Sequence, residues 1–343
     1  MTFYSIQNDI NTVIESLSVE GIEFQDQTIL VTGGAGFLGS WICDVLVGLK
    51  GRVICLDNFS SGRNENIEHL LDLDNFGFIE QDISKPVFFD KKIDIVLHLA
   101  SRASPLEFSR FPIQILKANT LGTWISLGIA KEHEARFLLA STSEVYGDPD
   151  SKFIPTPETY FGNVNPNGAR SCYDEAKRVA EAFTTAYKLQ HGLDTRIIRI
   201  HNTYGPLMRA GDIYGRVVTR FIDQGLRGIP LTVFGEGDQT RAFNYVSDMV
   251  KGILKVSHLP DLPGEVFNLG SSMEMKIIDL AKTILKLTGS KSQIKYYPLP
   301  PDDLKRRCPE TFKAERMLKW KVETNLTEGL NKTILWSKDQ NEN

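Results

Sequence analysis

The chain has 343 residues, 41% hydrophobic and 24% charged, with 39 Lys plus Arg against 43 Asp plus Glu and a formal net charge of −4. That length suits one large or two modest domains, and the composition is globular rather than disordered or fibrous. The weakly acidic balance speaks against a broad basic face, so no nucleic-acid partner is expected. No apolar run approaches the roughly 18 residues of a membrane helix, so no membrane partner is expected either. Asp9, Glu15 and Glu20, with no early basic cluster, predict no secretory leader. Cys43, Cys55, Cys172 and Cys308 show no C-x-x-C spacing, which fits a reducing, cytoplasmic setting without disulfides. No histidine stands i,i+4 from another, so no protein-held metal is expected.

Along the chain, Ile6, Ile10, Val13, Ile14 and Leu17 fall at helical spacing, predicting a docking helix within an N-terminal extension, residues 1–26. Strands are then predicted at Thr28–Val31, Arg52–Leu56, Gly77–Glu80, Ile93–Leu99, Arg136–Ala140 and Thr195–Ile200. Between them fall predicted helices at Phe37–Gly48, Asn64–Leu71, Ile113–Lys131 and Ser171–Gln190. Strands alternating with helices over short connections predict right-handed βαβ units and a parallel sheet covered on both faces. After about Pro206 the rhythm changes to helices at Val217–Leu226, Val246–Val256, Ile277–Leu287 and Leu326–Trp336, separated by Gly/Pro-rich joints. The expected organisation is a cofactor domain over residues 27–205. Residues 206–343 would form mainly a smaller substrate domain that closes over it, with interleaving left open.

The run Thr32-Gly33-Gly34-Ala35-Gly36-Phe37-Leu38-Gly39 follows the first strand and opens the first helix of that domain. A G-x-G-x-x-G motif alone is weak, but this context is the one a dinucleotide requires. Glycines allow a tight turn and close backbone approach, and free N–H groups at the helix start face a pyrophosphate. Asp57 ends the second strand, roughly 20 positions beyond Gly36, where a carboxylate accepts from both ribose hydroxyls and repels a 2′-phosphate. NAD is therefore expected over NADP, with Arg63 close enough to soften the preference; the plain alternative for Asp57 is a turn carboxylate. Asp82 and Ile83 follow the third strand, in position to meet adenine, although an ordinary turn explains Asp82 almost as well.

Tyr173 and Lys177 lie at i and i+4 on a predicted helix and share a face. A neighbouring ammonium and a nicotinamide cation both favour phenolate, which would make Tyr173 a base near neutral pH. Thr142, Ser143 and Glu144 follow the strand Arg136–Ala140, at the edge where ligands bind in open α/β sheets. A hydroxyl there can share the proton that Tyr173 accepts. The plain alternative is a turn serine and a solvated glutamate.

With these residues the chain resembles the extended short-chain dehydrogenase/reductases that act on nucleotide sugars, and among them the UDP-glucuronate decarboxylases. The matching stretches are Thr32–Gly39, Leu56–Phe59 with Gly62-Arg63, His98–Ser101, Ala103–Pro105, Ser141–Pro149 and Gly162–Pro166. The match continues through Arg170–Glu175, Asn202–Pro206, Gly215–Val218 and Gln239–Phe243. The likeness spans about residues 27–335; Ser141–Glu144 and Gly162–Pro166 are its narrowest marks.

The resemblance implies a Rossmann-type doubly wound parallel sheet with a smaller C-terminal α/β substrate-binding domain, bound NAD and a homodimer. It also implies the decarboxylation of UDP-glucuronate to UDP-xylose through a 4-keto intermediate, with no net redox change. Tyr173 would take the C4 proton, Lys177 hold the nicotinamide ribose, and Ser143 and Thr142 bond the C4 oxygen. Glu144 would orient the sugar during decarboxylation or proton return. Arg307 would stand near the substrate carboxylate or diphosphate, Arg241 and Asn202 at the diphosphate, and Arg216 and Val217 in the substrate domain. Phe37, Leu38, Asn58, Phe59, Gly62, Ile83, Leu99, Ala100 and Asn119 would join Gly33, Gly36, Gly39, Asp57 and Asp82 around the cofactor.

Departures from the decarboxylase pattern cluster near the expected sugar pocket. Arg102 stands in place of a proline, His201 of a phenylalanine and Leu207 of an arginine, and the 209–214 loop is about two residues longer. Rival readings are a UDP-glucuronate 4-epimerase, against which Glu144 argues, and a 4,6-dehydratase, whose Asp-Glu acid pair is here Ser143-Glu144. A third is a non-enzymatic NAD-binding sensor, which commonly loses the Tyr or the Lys.

Overall fold

Runs rich in Val, Ile and Leu form strands buried on both faces. A computed structural model of the chain describes residues 5–209, 216–299 and 305–342. Its first part runs α1 (Ile6–Val19), β1 (Thr28–Thr32), α2 (Phe37–Gly48), β2 (Arg52–Asp57), β3 (Phe76–Glu80), β4 (Ile95–His98), α3 (Pro105–Phe108), α4 (Pro112–Glu132), β5 (Arg136–Thr142), α5 (Ser171–His191) and β6 (Thr195–Ile200). It continues β7 (Thr203–Tyr204), α6 (Val217–Leu226), β8 (Leu231–Phe234), β9 (Thr240–Ala242), β10 (Asn244–Tyr245), α7 (Val246–His258), β11 (Val266–Leu269), β12 (Glu274–Lys276), α8 (Ile277–Thr288), β13 (Ile294–Tyr297), β14 (Arg306–Arg307), α9 (Phe312–Leu318) and α10 (Leu326–Glu342).

Seven strands form one parallel sheet in the order β11-β6-β5-β4-β1-β2-β3. Alternate strand residues feed two cores. Ile29 and Val31 join Trp41, Ile42 and Val45 of α2 and the apolar face of α7; Leu30 and Val96 join Leu127 of α4 and Ala180 of α5. The doubly wound α/β class read from the sequence is therefore the observed one. Thr32 is in register with Leu56 and His98, and Thr142 with Ile200. Gly33, Asp57, Leu99, Ser143 and His201 consequently leave the sheet along one carboxyl edge, where open α/β sheets hold ligands.

Several expectations change. The helix expected at Asn64–Leu71 is two 3₁₀ turns, Asn64–Asn66 and Glu68–Leu70. Ile67 between them is fully buried at φ −130°, and Asn66 Nδ2 donates to the Ala35 carbonyl at 2.8 Å, tethering the segment to the glycine turn. β11 and α7, from the C-terminal half, complete the main sheet and one of its cores. The strand pairs β8–β13 and β7–β10 and the triplet β12-β9-β14 are absent from the sequence reading. Their strands are two to four residues long, too short for a period-2 pattern.

Helix α1 packs on α2 and α7 and buries Ile10, Val13 and Leu17. It is anchored at Asp9, which accepts from the Tyr245 hydroxyl at 2.8 Å and from Lys332 Nζ at 2.9 Å. Leu17 is wholly enclosed. Leu17→Ala is expected to cost about 2–5 kcal/mol, read as a lower urea midpoint with an unchanged slope.

Candidate active site

The carboxyl edge of the sheet opens into a cleft of about 540 Å³ that runs from the glycine turn to Tyr173. At one end, Gly33 has φ +74°, and a side chain there would meet Ala100 backbone at 2.8 Å. A Cβ at Gly39 would run into the Gly33 carbonyl, so the strand, the turn and α2 close up only with glycines. Gly36 caps α2 without a side-chain hydrogen bond, leaving the first-turn N–H groups of the helix to face the cleft. Asp57 accepts from Ala35 N at 3.0 Å and Phe59 N at 2.8 Å; burial pushes its carboxyl up, and these two bonds oppose the shift. It lines the cleft, and a carboxylate has about four acceptor sites, so about two remain for a ligand.

At the other end, β5 ends at Thr142, and Ser143 and Glu144 open a 3₁₀ turn, Ser143–Tyr146, with Glu144 N donating to Thr142 Oγ1 at 3.3 Å. Helix α5 presents Tyr173 and Lys177 to the same wall. The Tyr173 ring stacks on Phe108 at 5.0 Å, and its hydroxyl pairs with Thr142. Burial pushes the phenol up to about 12, against the pull of Arg216 and the Thr142 hydrogen bond. Lys177 is enclosed, donates to the Ala140 carbonyl at 2.7 Å, and burial lowers it to about 7. In the chain alone desolvation outweighs the pull of these groups, so the phenolate expected near neutral pH depends on the nicotinamide cation.

Beyond Tyr173 lies a charged cluster that spacing did not reveal. Glu144 accepts from Arg307 Nη1 and from Arg170 Nη2, and from Arg307 Nη2 at 2.8 Å. Arg307, Arg170 and Arg241 hold the Glu144 carboxyl well below its usual range despite burial. Asp174 moves the other way, to about 7, raised by burial and then by the Glu144 charge. Arg170 stood in a quoted motif with no role. Its one legible signal was a positive charge directly before the helix that carries Tyr173.

The other expected residues divide. Gly33, Gly36, Phe37, Leu38, Gly39, Asp57, Asn58, Asp82, Ile83, Leu99 and Ala100 line the cleft, as do Asn202 and Arg216. Asp82 also closes its own turn, accepting from Ser84 N at 2.9 Å. Arg216 donates to the Ala103 carbonyl at 2.8 Å, across the cleft mouth. Phe59, Gly62, Asn119, Val217, Arg241 and Arg307 do not line the cleft. Phe59 packs on Phe78, Gly62 lies close behind Asp57, and Val217 packs into the core at the start of α6. Asn119, expected on the cofactor wall, is fully enclosed and donates to the Ile115 carbonyl of its own helix. Arg241 bonds the Thr240 carbonyl, and Arg307 reaches the site through Glu144.

Among the departures, Arg102 lines the cleft but is paired with buried Glu107 and lies 4.6 Å over the Phe111 ring. The gained charge is thus balanced locally. His201 is buried and lowered to about 3, so it stays neutral. Leu207 adopts a left-handed φ of +68° on the cleft wall. Of the longer loop, residues 210–215 lie outside the described residues.

The model of the NAD dependent epimerase/dehydratase family matches residues 29–270. The chain belongs to that family. Among relatives, UDP-glucuronic acid decarboxylase 1 of Xenopus tropicalis is 47% identical over 306 residues, 89% of this chain and 71% of that protein. UDP-glucuronic acid decarboxylase 6 of Arabidopsis thaliana is 46% identical over 303 residues, 88% and 86% of the two chains. The crystal structure of UDP-glucose 4-epimerase with UDP-glucose from Thermotoga maritima superposes with a TM-score of 0.84 at 31% identity, covering 92% of this chain and 99% of that one.

The cofactor of this epimerase/dehydratase family member is NAD, and the cleft fits it. The uncapped start of α2 suits a diphosphate, and Asp57 suits an unphosphorylated ribose. Asp57→Asn is expected to weaken NAD about 10–100-fold, the worth of a hydrogen bond to a charged group, and to narrow the preference over NADP. Isothermal titration with NAD and with NADP checks both.

Proposed function

We propose that the chain decarboxylates UDP-glucuronate to UDP-xylose with bound NAD and no net redox change. The observation that carries the reading is the Glu144 carboxylate, held between Arg307 and Arg170 on the wall it shares with Tyr173. The names of the relatives support it. When bound, NAD supplies reversible hydride acceptance at C4. Tyr173 accepts the C4 hydroxyl proton and returns it, with Thr142 and Ser143 bonding the same oxygen. Lys177 orients the nicotinamide ribose. Oxidation at C4 makes the uronate a β-keto acid, whose carboxyl leaves as CO2 because the electrons delocalise into the ketone. Glu144, Arg307 and Arg170 keep the carboxyl end of the sugar in a fixed electrostatic setting during that loss and the return of a proton to C5. Arg241, Asn202 and Arg216 belong to the diphosphate side.

The test is incubation with UDP-glucuronate and NAD, followed by proton NMR with CO2 measured alongside. UDP-xylose with stoichiometric CO2 and no accumulated NADH is expected. UDP-galacturonate without CO2 would make the chain a 4-epimerase.

The reading includes a cofactor domain of residues 27–205 completed by β11 and α7, with the rest of 206–343 mainly substrate-binding. It also includes a homodimer through α4 and α5, which pack side by side and expose Ile113, Leu121, Trp124 and Val179. Trp124→Glu is expected to convert dimer to monomer in sedimentation velocity. Four buried, unpaired cysteines support a cytoplasmic setting.

A further inference from the structure

We propose that Arg170 is a positioning residue that sets the Glu144 carboxylate at a fixed place relative to the Tyr173 phenol, so that the 4-keto sugar is held until hydride returns. The inference rests on the decarboxylase reading.

Four contacts converge on this residue. Its Nη2 donates to Glu144 Oε2, the oxygen that also accepts from Nη2 of Arg307 of β14, whose Nη1 takes Oε1. Its Nε faces Asp174 Oδ2 at 3.5 Å, one turn along α5. Its guanidinium lies 5.4 Å over the Phe108 ring, the ring on which Tyr173 stacks at 5.0 Å and 16°. Its carbonyl accepts from Tyr173 N at 2.9 Å and Asp174 N at 3.0 Å, closing the first turn of α5. Arg170 thus touches the carboxylate, the ring beneath the phenol and the backbone turn that carries it. It does not line the cleft, whereas Glu144 and Tyr173 both do.

Arg307 alone pairs with both carboxylate oxygens and keeps Glu144 charged. A single fork still lets the carboxylate move with the strand that bears it. A second guanidinium from another element removes that freedom. The two ends of the reaction need this spacing, because the phenol works at C4 while the carboxylate faces the side of C5 and its carboxyl. A loosened carboxylate lets the ketone leave after CO2 is lost. The leak balances as UDP-glucuronate plus NAD giving UDP-4-keto-pentose, CO2 and NADH: the C4 hydride stays on the cofactor, and the C4 hydroxyl proton equals the one taken up at C5.

The test compares Arg170→Gln and Arg170→Lys with the wild type, following CO2, UDP-xylose, UDP-4-keto-pentose and NADH, with thermal unfolding and calorimetric NAD binding on each. Arg170→Gln is expected to lower kcat about 10–100-fold, shift KM less than about threefold, and divert part of the sugar to ketone with one NADH each. Arg170→Lys keeps the charge without the fork and is expected to recover part of both the rate and the partition. A Gln variant with wild-type rate and no ketone would overturn the role. So would two variants that lose NAD binding and thermal stability together, because Arg170 would then only support the fold. If the wild type itself releases no CO2 from UDP-glucuronate, the decarboxylase reading falls and this role with it; if it does, an unchanged Arg170→Gln sinks this inference alone.

Discussion

Tyr173→Phe is expected to lower kcat by roughly 10²–10⁴-fold, the usual worth of a positioned proton-transfer group. The variant removes one oxygen and keeps the ring, which stacks on Phe108 and is almost fully buried. Thr142 Oγ1 retains the Glu144 N–H, so the hydroxyl lost from Tyr173 strands little. NAD affinity and melting temperature are therefore expected to stay near wild type, which separates a chemical loss from a folding loss. The chain alone holds the phenol up to about 12, with Arg216 and the Thr142 bond pulling it down against burial. Lys177, itself lowered to about 7 by burial, lies on the same helix face. Any route to phenolate at neutral pH must draw on positive charge brought into the cleft, and a nicotinamide ring supplies it. Single-turnover measurement should find NADH formation from Tyr173→Phe slowed by a similar factor, because hydride leaves C4 with difficulty while its hydroxyl keeps the proton. A variant with normal hydride transfer would remove Tyr173 from the mechanism.

What could be read from the sequence was the part encoded in short spacings. Gly33, Gly36 and Gly39 stand within one turn of chain, and Tyr173 and Lys177 one helical turn apart, so periodicity and motif place them without tertiary knowledge. Six strands of the main sheet followed from runs long enough to show their burial; the four-residue β11 did not. The cluster behind Glu144 was opaque for the opposite reason. Arg170 lies 26 positions from Glu144 and Arg307 lies 163, and no local pattern links residues at that distance. Asn119 marks the limit of a motif: its position is legible, but that its amide Nδ2 turns back to its own helix, toward the Ile115 carbonyl, is not. The direction of the Tyr173 shift was also illegible: neighbours were predictable, but the depth of burial that outweighs them was not.

Glu144→Gln should separate the charge cluster from the phenol. The substitution keeps the shape and removes the negative charge, leaving Arg170 and Arg307 facing a neutral amide in a largely enclosed place. Breaking a buried pair in this way costs about 3–5 kcal/mol. The pH dependence carries the sign. Glu144 is held below its ordinary 4.5, chiefly by Arg307, so its contribution is present above that value and is lost as pH falls through the lowered pKa. Asp174 is raised from 3.8 to about 7, by burial and then by Glu144, so its contribution is present at low pH and is lost as pH rises through about 7. The wild type should therefore gain stability on leaving acid and give some back toward pH 7. In Glu144→Gln the first slope disappears. The second moves to lower pH, because Asp174 loses its repelling neighbour while Arg170 and Arg307 remain to attract it. Melting curves between pH 3 and 8 test both, and an unchanged curve would mean that the pairing has no energetic weight. On activity, kcat for CO2 release is expected to fall about 100-fold, with the step that needs Tyr173 alone, hydride departure from C4, slowed far less. Loss of both steps to the same extent would make the cluster a support for the phenol, not a separate site for the carboxyl end of the sugar.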